Sequence, residues 1–257
     1  MCEIFGWSGN RERELNTDLR AFYAHAPEHP NGWGLALFYD RDTYIKRESV
    51  RADKSAYLAK KLAQPIAAKN ALAHIRLATI GDVDLLNCHP FTGRDRTGRC
   101  WTLVHNGTIF ESEALKKYVF REKGETDSER ILLYLLDRIN EETLRKCRPL
   151  TAAERFAVLD EIVRGSSPKN KLNLLIFDGE LTYVHTNFKD SLYYRSDPCG
   201  VTFSTQPLSD GDWRNVDFTT LLGYQDGKRV FTGTNHGNEY FYDENSYQAL
   251  YLAYAGL

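Results

Sequence analysis

The feature that most constrains the fold of this 257-residue chain is a repeated hairpin signal. Asp178-Gly179 joins two strand-like apolar runs, and Asp226-Gly227 suggests a second hairpin further along the chain. Asp-Gly pairs favour the tight turns that connect neighbouring antiparallel strands. The sequence therefore predicts antiparallel sheets.

Between the strand-like runs lie stretches with the 3.6-residue periodicity of amphipathic helices. Residues 126–129 have the form of a capping box, and apolar residues follow them at helical spacing. The predicted strands are 2–7, 33–39, 71–76, 101–105, 172–177 and 181–185, and the predicted helices are 54–68, 126–139 and 151–163. Hairpins with intervening helices predict an α+β fold that layers helices on antiparallel sheets.

Composition excludes several classes of protein. Hydrophobic residues make up 42% and charged residues 26%, as in globular proteins, and the polar loop 164–170 is too short to separate domains, so we expect one domain over residues 1–257. The formal charge of −2 disfavours nucleic acid as a partner. No apolar run reaches the roughly 20 residues of a membrane helix, and we see no signal peptide. Five widely spaced cysteines indicate reduced thiols in a cytoplasmic protein.

Cys2 is the first candidate for chemistry. A free cysteine on a strand is usually a small buried residue. At position 2, however, removal of Met1 would leave a thiol and a free α-amine on one residue. The amine, with an ordinary pKa of about 8, can act as the base for the thiol. Position alone leaves both interpretations open.

The pair Asn106-Gly107 follows an apolar strand and also has two interpretations. It is a common turn dipeptide. Alternatively, the Asn106 amide and the Gly107 backbone N–H could both donate to one oxygen and form an oxyanion hole. The turn is the simpler interpretation unless a nucleophile lies nearby.

Arg76 and Asp127 could form a site for a free amino-acid head group. Singly, Arg76 is a strand-end arginine, and Asp127 suits the first turn of a helix, where a carboxylate offsets the helix dipole. Together they could hold a carboxylate through the planar fork of the arginine and an ammonium through the aspartate.

A zinc site is a further alternative. The spacings match no standard zinc pattern, and we expect His89 instead to shape a pocket through hydrogen bonds. The residues that such a site would need are His74, His89, His105, Cys88 and Cys100.

Five sequence blocks occur in a characteristic order. They are Met1-Cys2, the segment 74–81 (HIRLATIG), the segment 87–91 (NCHPF), the segment 105–109 (HNGTI) and the segment 125–129 (ETDSE). The chain thereby resembles the glutaminase domain of the class-II glutamine amidotransferases. Looser matches at 31–34 (NGWG) and 204–208 (STQPL), followed by Trp213, resemble the stand-alone YafJ-like branch of that family.

The resemblance implies a four-layer αββα sandwich of two antiparallel sheets, the N-terminal-nucleophile hydrolase fold. It implies that no metal or organic cofactor is needed. The site residues it implies are Cys2 as the nucleophile, Asn106 and Gly107 as the oxyanion hole, Arg76 for the substrate α-carboxylate, Asp127 for the α-amine, and Thr79 and His89 as pocket residues.

The chain departs from many relatives at Leu77 and Ile80, where they have Trp and His, so its amide preference could differ. Three functions remain open. The first is a glutaminase that supplies ammonia to a separate synthase, and the second is a γ-glutamyl peptide or conjugate hydrolase. The third is a non-catalytic protein that binds glutamine. We expect a small-molecule substrate, a possible synthase or peptidase subunit as partner, and no nucleic acid or membrane partner.

Overall fold

The fold is that of a computed structural model, which describes residues 2–39, 42–79, 81–245 and 248. Met1 and Ile80 lie outside these ranges. Within them the strands are β1 Glu3–Glu14, β2 Trp33–Phe38, β3 Thr43–Glu48, β4 Ala67–Ile75, β5 Phe91–Arg94, β6 Cys100–Thr108, β7 Lys171–Phe177, β8 Thr182–His185, β9 Tyr193–Asp197, β10 Gly200–Ser204, β11 Arg214–Asn215, β12 Leu222–Gln225 and β13 Lys228–Thr232. The helices are α1 Asn16–Tyr23, α2 Ala56–Leu62, α3 Glu113–Lys116, α4 Asp127–Lys146 and α5 Ala152–Ser166.

The strands form two sheets. One has seven strands in the order β11-β9-β10-β1-β4-β2-β3, and the other has six in the order β13-β12-β8-β7-β6-β5. Every strand pair is antiparallel, as the hairpin signals predict. The first strand, β1, lies inside its sheet between β10 and β4, and β6 and β7 are neighbours inside the other.

Four layers follow from the alternation of side chains along the strands, since successive residues point to opposite faces of a sheet. In β1, Phe5 packs with α1 and α2 on the outer face, while Ile4 packs between the sheets. In β7, Leu174 packs under α4 and α5, while Leu175 packs between the sheets. The order is helices, sheet, sheet, helices, which confirms the predicted αββα sandwich.

Most of the predicted elements are present. The Asp226-Gly227 hairpin is confirmed: both residues have positive φ, 51° and 73°, as in the primed turns of tight hairpins. The chain between β7 and β8 also turns at Asp178-Gly179. In the described residues, no helix is long and apolar enough to cross a membrane. The single-domain assignment of residues 1–257 stays a prediction.

The helix predicted over 54–68 is wrong at both ends. Its N-terminus is set by Ser55, whose hydroxyl accepts a hydrogen bond from the backbone N–H of Leu58 at 3.0 Å. It ends at Leu62, because Pro65 disfavours helical backbone at the residue before it. The chain from Ala67 onward is instead taken up by pairing with β1.

Candidate active site

Cys2 lies directly before β1, at the end of a strand that is paired on both sides. Its sulfur lies 3.2 Å from the carbonyl oxygen and 3.4 Å from the backbone nitrogen of Leu77. Burial raises the pKa of the Cys2 thiol, and the bond to Leu77 and the positive charges of Arg76 and Lys171 oppose that rise. Burial thus disfavours the thiolate, which is the nucleophilic form, and the two cations nearby reduce that effect.

Asn106 and Gly107 lie inside β6, opposite Asn173 and Leu172 of β7. The turn interpretation of this dipeptide is therefore wrong. Strand packing requires a glycine at position 107, since a β-carbon there would overlap the backbone carbonyl oxygen of Lys171. Asn106 is buried, with 2% of its surface exposed.

Cys2 and Asn106 line one cavity of about 520 Å³. Leu77 and Lys171 also line it, together with segments from both sheets. The remaining wall residues are Glu3, Glu28, His29, Phe188, Asp190, Ser191, Tyr193, Thr205, Gln206 and Pro207. The fold thus places a thiol and a side-chain amide beside the same space, although they are 104 positions apart in the chain.

Arg76 follows β4 directly and is buried, with 3% of its surface exposed. Its guanidinium donates to the carbonyl oxygen of Asp82 at 2.8 Å and to that of Gly81 at 3.1 Å. These bonds hold the plane of the guanidinium against the loop that follows β4. Arg76 is next to Leu77, which contacts the Cys2 sulfur, but it is not among the residues that line the 520 Å³ cavity.

Asp127 is the first residue of α4. One of its carboxylate oxygens accepts from the backbone N–H of Ile109 at 2.7 Å, and the other accepts from the Ser128 hydroxyl at 3.2 Å. It lines a separate cavity, beside Ile109 and Phe110. Asp127 therefore lies just beyond the end of β6, the strand that contains Asn106.

The expected capping box at 126–129 is half formed. The Thr126 hydroxyl accepts from the backbone N–H of Glu129 at 3.3 Å. The Glu129 carboxylate, however, accepts from the backbone N–H groups of Lys123 and Gly124, at 3.1 and 2.9 Å. It thereby holds the loop before α4 in place.

The two residues expected at the edge of the pocket do not line the Cys2 cavity. Thr79 is partly buried in the loop after β4. His89 is buried, and its ring lies 4.0 Å from that of His74 and 4.7 Å from that of Phe91. Neither ring nitrogen of His89 has a hydrogen-bond partner among the described residues, so the hydrogen bonds expected of it are not present.

Burial disfavours the charged form of the two neighbouring histidines His74 and His89. Burial, joined by the charge of Arg76, lowers the pKa of His74 and of His89 well below the usual range. Within the part of the chain that the structure describes, no three His, Cys, Asp or Glu side chains are grouped to hold a metal ion. His105 instead bonds to the Ser128 hydroxyl, 3.0 Å from its Nδ1.

Lys171 is the residue of this site that the sequence analysis missed. It begins β7, is completely buried, and its Nζ lies 3.3 Å from Oδ1 of Asn106. Burial lowers the pKa of Lys171 to about 7, while the nearby Cys2 opposes that change.

The fold is shared with solved amidotransferases. The 2.0 Å crystal structure of a predicted glutamine amidotransferase from Pseudomonas aeruginosa PA01 matches with a TM-score of 0.65 and 23% identity, over 90% of this chain and 100% of that one. Glutamine phosphoribosylpyrophosphate amidotransferase from B. subtilis matches with a TM-score of 0.65 and 16% identity, over 91% of this chain and 49% of that one. At these identities the likeness is one of fold.

Sequence comparison defines the family. Residues 1–203 match the class-II glutamine amidotransferases, and the chain belongs to this family. YafJ of Escherichia coli (strain K12) is 31% identical over 192 residues, which cover 73% of this chain and 74% of YafJ. Membership of this family implies an enzyme.

Proposed function

We propose that this protein hydrolyses the side-chain amide of glutamine or of a γ-glutamyl amide, with Cys2 as its nucleophile after removal of Met1. The observation that carries the proposal is the cavity shared by the Cys2 thiol and the Asn106 amide. A nucleophile and a hydrogen-bond donor beside one space are what acyl transfer requires.

The proposed reaction consists of two acyl transfers. The α-amine of Cys2 takes the thiol proton, and the thiolate attacks the amide carbon. The Asn106 side chain and the Gly107 N–H stabilise the negative oxygen that forms. Collapse of this intermediate breaks the C–N bond, and the leaving amine takes the proton back. Water then hydrolyses the γ-glutamyl thioester, which yields glutamate and restores the thiol. No metal or organic cofactor enters this scheme.

Arg76 and Asp127 are the proposed contacts of the glutamyl head group. Both are buried, and both are held by the backbone of neighbouring loops. Arg76 would bind the α-carboxylate with its planar fork, and Asp127 would bind the α-ammonium. Thr79 and His89 are proposed, from family resemblance alone, to border this head-group site.

The size of the cavity favours γ-glutamyl peptides or conjugates as a second group of substrates. The space of about 520 Å³ beside Cys2 is lined by neither Arg76 nor Asp127, so it lies outside the proposed head-group contacts. It would accept a leaving amine larger than ammonia. If ammonia is the leaving amine, the proposed partner is a separate synthase that takes it up. If the substrate is a γ-glutamyl peptide, the proposed partner is a peptidase subunit. The free cysteines suit a cytoplasmic location.

The test begins with intact-mass analysis, which selects enzyme that lacks Met1. On that enzyme, kcat/KM is compared for L-glutamine, γ-glutamyl-cysteine and glutathione, with Cys2→Ala as the blank. We expect Cys2-dependent cleavage of glutamine and measurable cleavage of the two peptides. Turnover of glutamine alone, stimulated by a co-purifying synthase, would instead support ammonia transfer. Binding of glutamine without turnover would identify a non-catalytic binding protein and refute the proposal.

A further inference from the structure

Lys171 occupies an environment that is unusual for a lysine. Its side chain is completely buried at the start of β7, although lysine is almost never fully buried unless it is paired. Its Nζ lies 3.3 Å from Oδ1 of Asn106 and 4.8 Å from the centre of the Phe188 ring. It also lines the cavity that contains Cys2. The amine is thus held beside the candidate reaction centre.

The contact with Asn106 determines which way the amide faces. Nζ of Lys171 donates to Oδ1, the carbonyl oxygen of Asn106, and a lysine amine carries N–H donors for this contact. Because the amide group is planar, its NH₂ then points away from Lys171. We propose that Lys171 is a positioning residue, which fixes Asn106 so that its NH₂ is presented to the oxygen that becomes negative during acyl transfer.

Below its pKa of about 7, the positive charge of Lys171 adds to this effect. A hydrogen bond from an ammonium to the amide oxygen withdraws electron density from the amide nitrogen, which strengthens the N–H as a donor. In a buried site the effect is larger than in water.

A purely structural role explains the position less well. Met has an unbranched side chain of similar length and would fill the same space without the cost of burying an amine. The polar contact to Asn106 is what an apolar residue could not provide. Asn106 and Lys171 lie on the faces of β6 and β7 that point between the sheets. Val104 on β6 and Leu175 on β7 share these faces, and both pack between the sheets.

This inference rests on the proposed function, and a double-mutant cycle separates the two. Hydrolysis of L-glutamine and γ-glutamyl-cysteine is measured for the wild type, Lys171→Met, Asn106→Ala and the double variant. We expect Lys171→Met to lower kcat about 10- to 100-fold with little change in KM, a smaller loss than that of the donor itself. In the Asn106→Ala background the same change should cost less than about 2-fold, since no amide remains to be positioned.

A partly exposed lysine that lines neither cavity provides the control. Lys146, the last residue of α4, pairs with Glu154 at 3.0 Å. Lys146→Met removes a lysine outside both cavities and should leave kcat unchanged. Circular dichroism checks that each variant is folded, and Lys171→Gln replaces Lys171→Met in the cycle if the methionine variant does not fold.

The outcomes are distinct. An equal loss from Lys171→Met with and without the Asn106 amide would refute the positioning role while leaving the hydrolase intact. So would a change in KM alone. If the wild type shows no Cys2-dependent hydrolysis of either substrate, the proposed function fails and this inference fails with it.

Discussion

The sulfur of Cys2 contacts both the carbonyl oxygen and the backbone nitrogen of Leu77, at 3.2 and 3.4 Å. Leu77 directly follows Arg76, whose guanidinium is bonded to the same loop at Gly81 and Asp82. The loop after β4 therefore connects the candidate nucleophile to the candidate carboxylate contact. A shift of this loop would move both of them.

Cys2→Ala should abolish hydrolysis and leave the protein folded, because only one partly buried sulfur before β1 is lost. Turnover of L-glutamine and the circular dichroism spectrum together measure this. The matched control is Cys147→Ser, at an exposed cysteine after α4, which should keep full activity. Full activity in Cys2→Ala would place the nucleophile elsewhere.

Asn106→Ala should lower kcat about 100- to 1,000-fold, the usual effect of losing one oxyanion donor, with little change in KM. The physical reason is that this amide would contact the oxygen only when it becomes negative. Steady-state kinetics on L-glutamine measures the split between the two constants. A variant with unchanged kcat and a raised KM would remove Asn106 from the oxyanion hole.

Arg76→Lys should raise KM roughly 10- to 100-fold although the charge is kept, the effect of one lost charge-assisted hydrogen bond. Lysine lacks the planar fork and cannot bond both Gly81 and Asp82 as the guanidinium does. Arg20→Lys is the control, since Arg20 also donates to a backbone carbonyl, that of Leu62, but on the surface. Equal KM values in the two variants would argue against Arg76 as the carboxylate contact.

The stability of the protein should depend on pH through Lys171. Its pKa is about 7 in the folded state and 10.5 as an ordinary lysine. Between these values the unfolded chain binds the extra proton, so the free energy of unfolding falls as pH falls from about 10 to 7. Relative to Lys171→Met, the wild type should lose about 1 kcal/mol per pH unit in this window. Urea unfolding at pH 7.5 and 9.5 measures the difference, and a constant gap would show that Lys171 keeps an ordinary pKa.

The layered fold could be predicted because its signals are local. The Asp226-Gly227 turn and the alternation in the strands can be read from a few neighbouring residues. The end of α2 could not be located in this way. The run from Ala67 onward suits either a helix or a strand, and pairing with Glu14 and Arg13, more than fifty positions away, decides for the strand.

For the site, sequence reasoning found side chains of distinctive chemistry and missed Lys171. A lysine at the beginning of an apolar strand usually reaches solvent, since its long stem can extend past the strand end. Here the strand end is covered, and the amine faces Cys2 and Asn106 instead. That covering comes from segments far apart in the chain, such as the one that contains Phe188, and no local pattern encodes it.

Gly107 has a bearing on how evolutionary change in this family can be read. Its lack of a side chain is required by the close approach of the Lys171 carbonyl on the neighbouring strand, whether or not any reaction takes place. A descendant that had become a pseudoenzyme would therefore still be under selection to keep this glycine. The neighbouring backbone does not restrict position 106 to glycine, so position 106 is the more informative place to look when active members are sorted from degenerate ones.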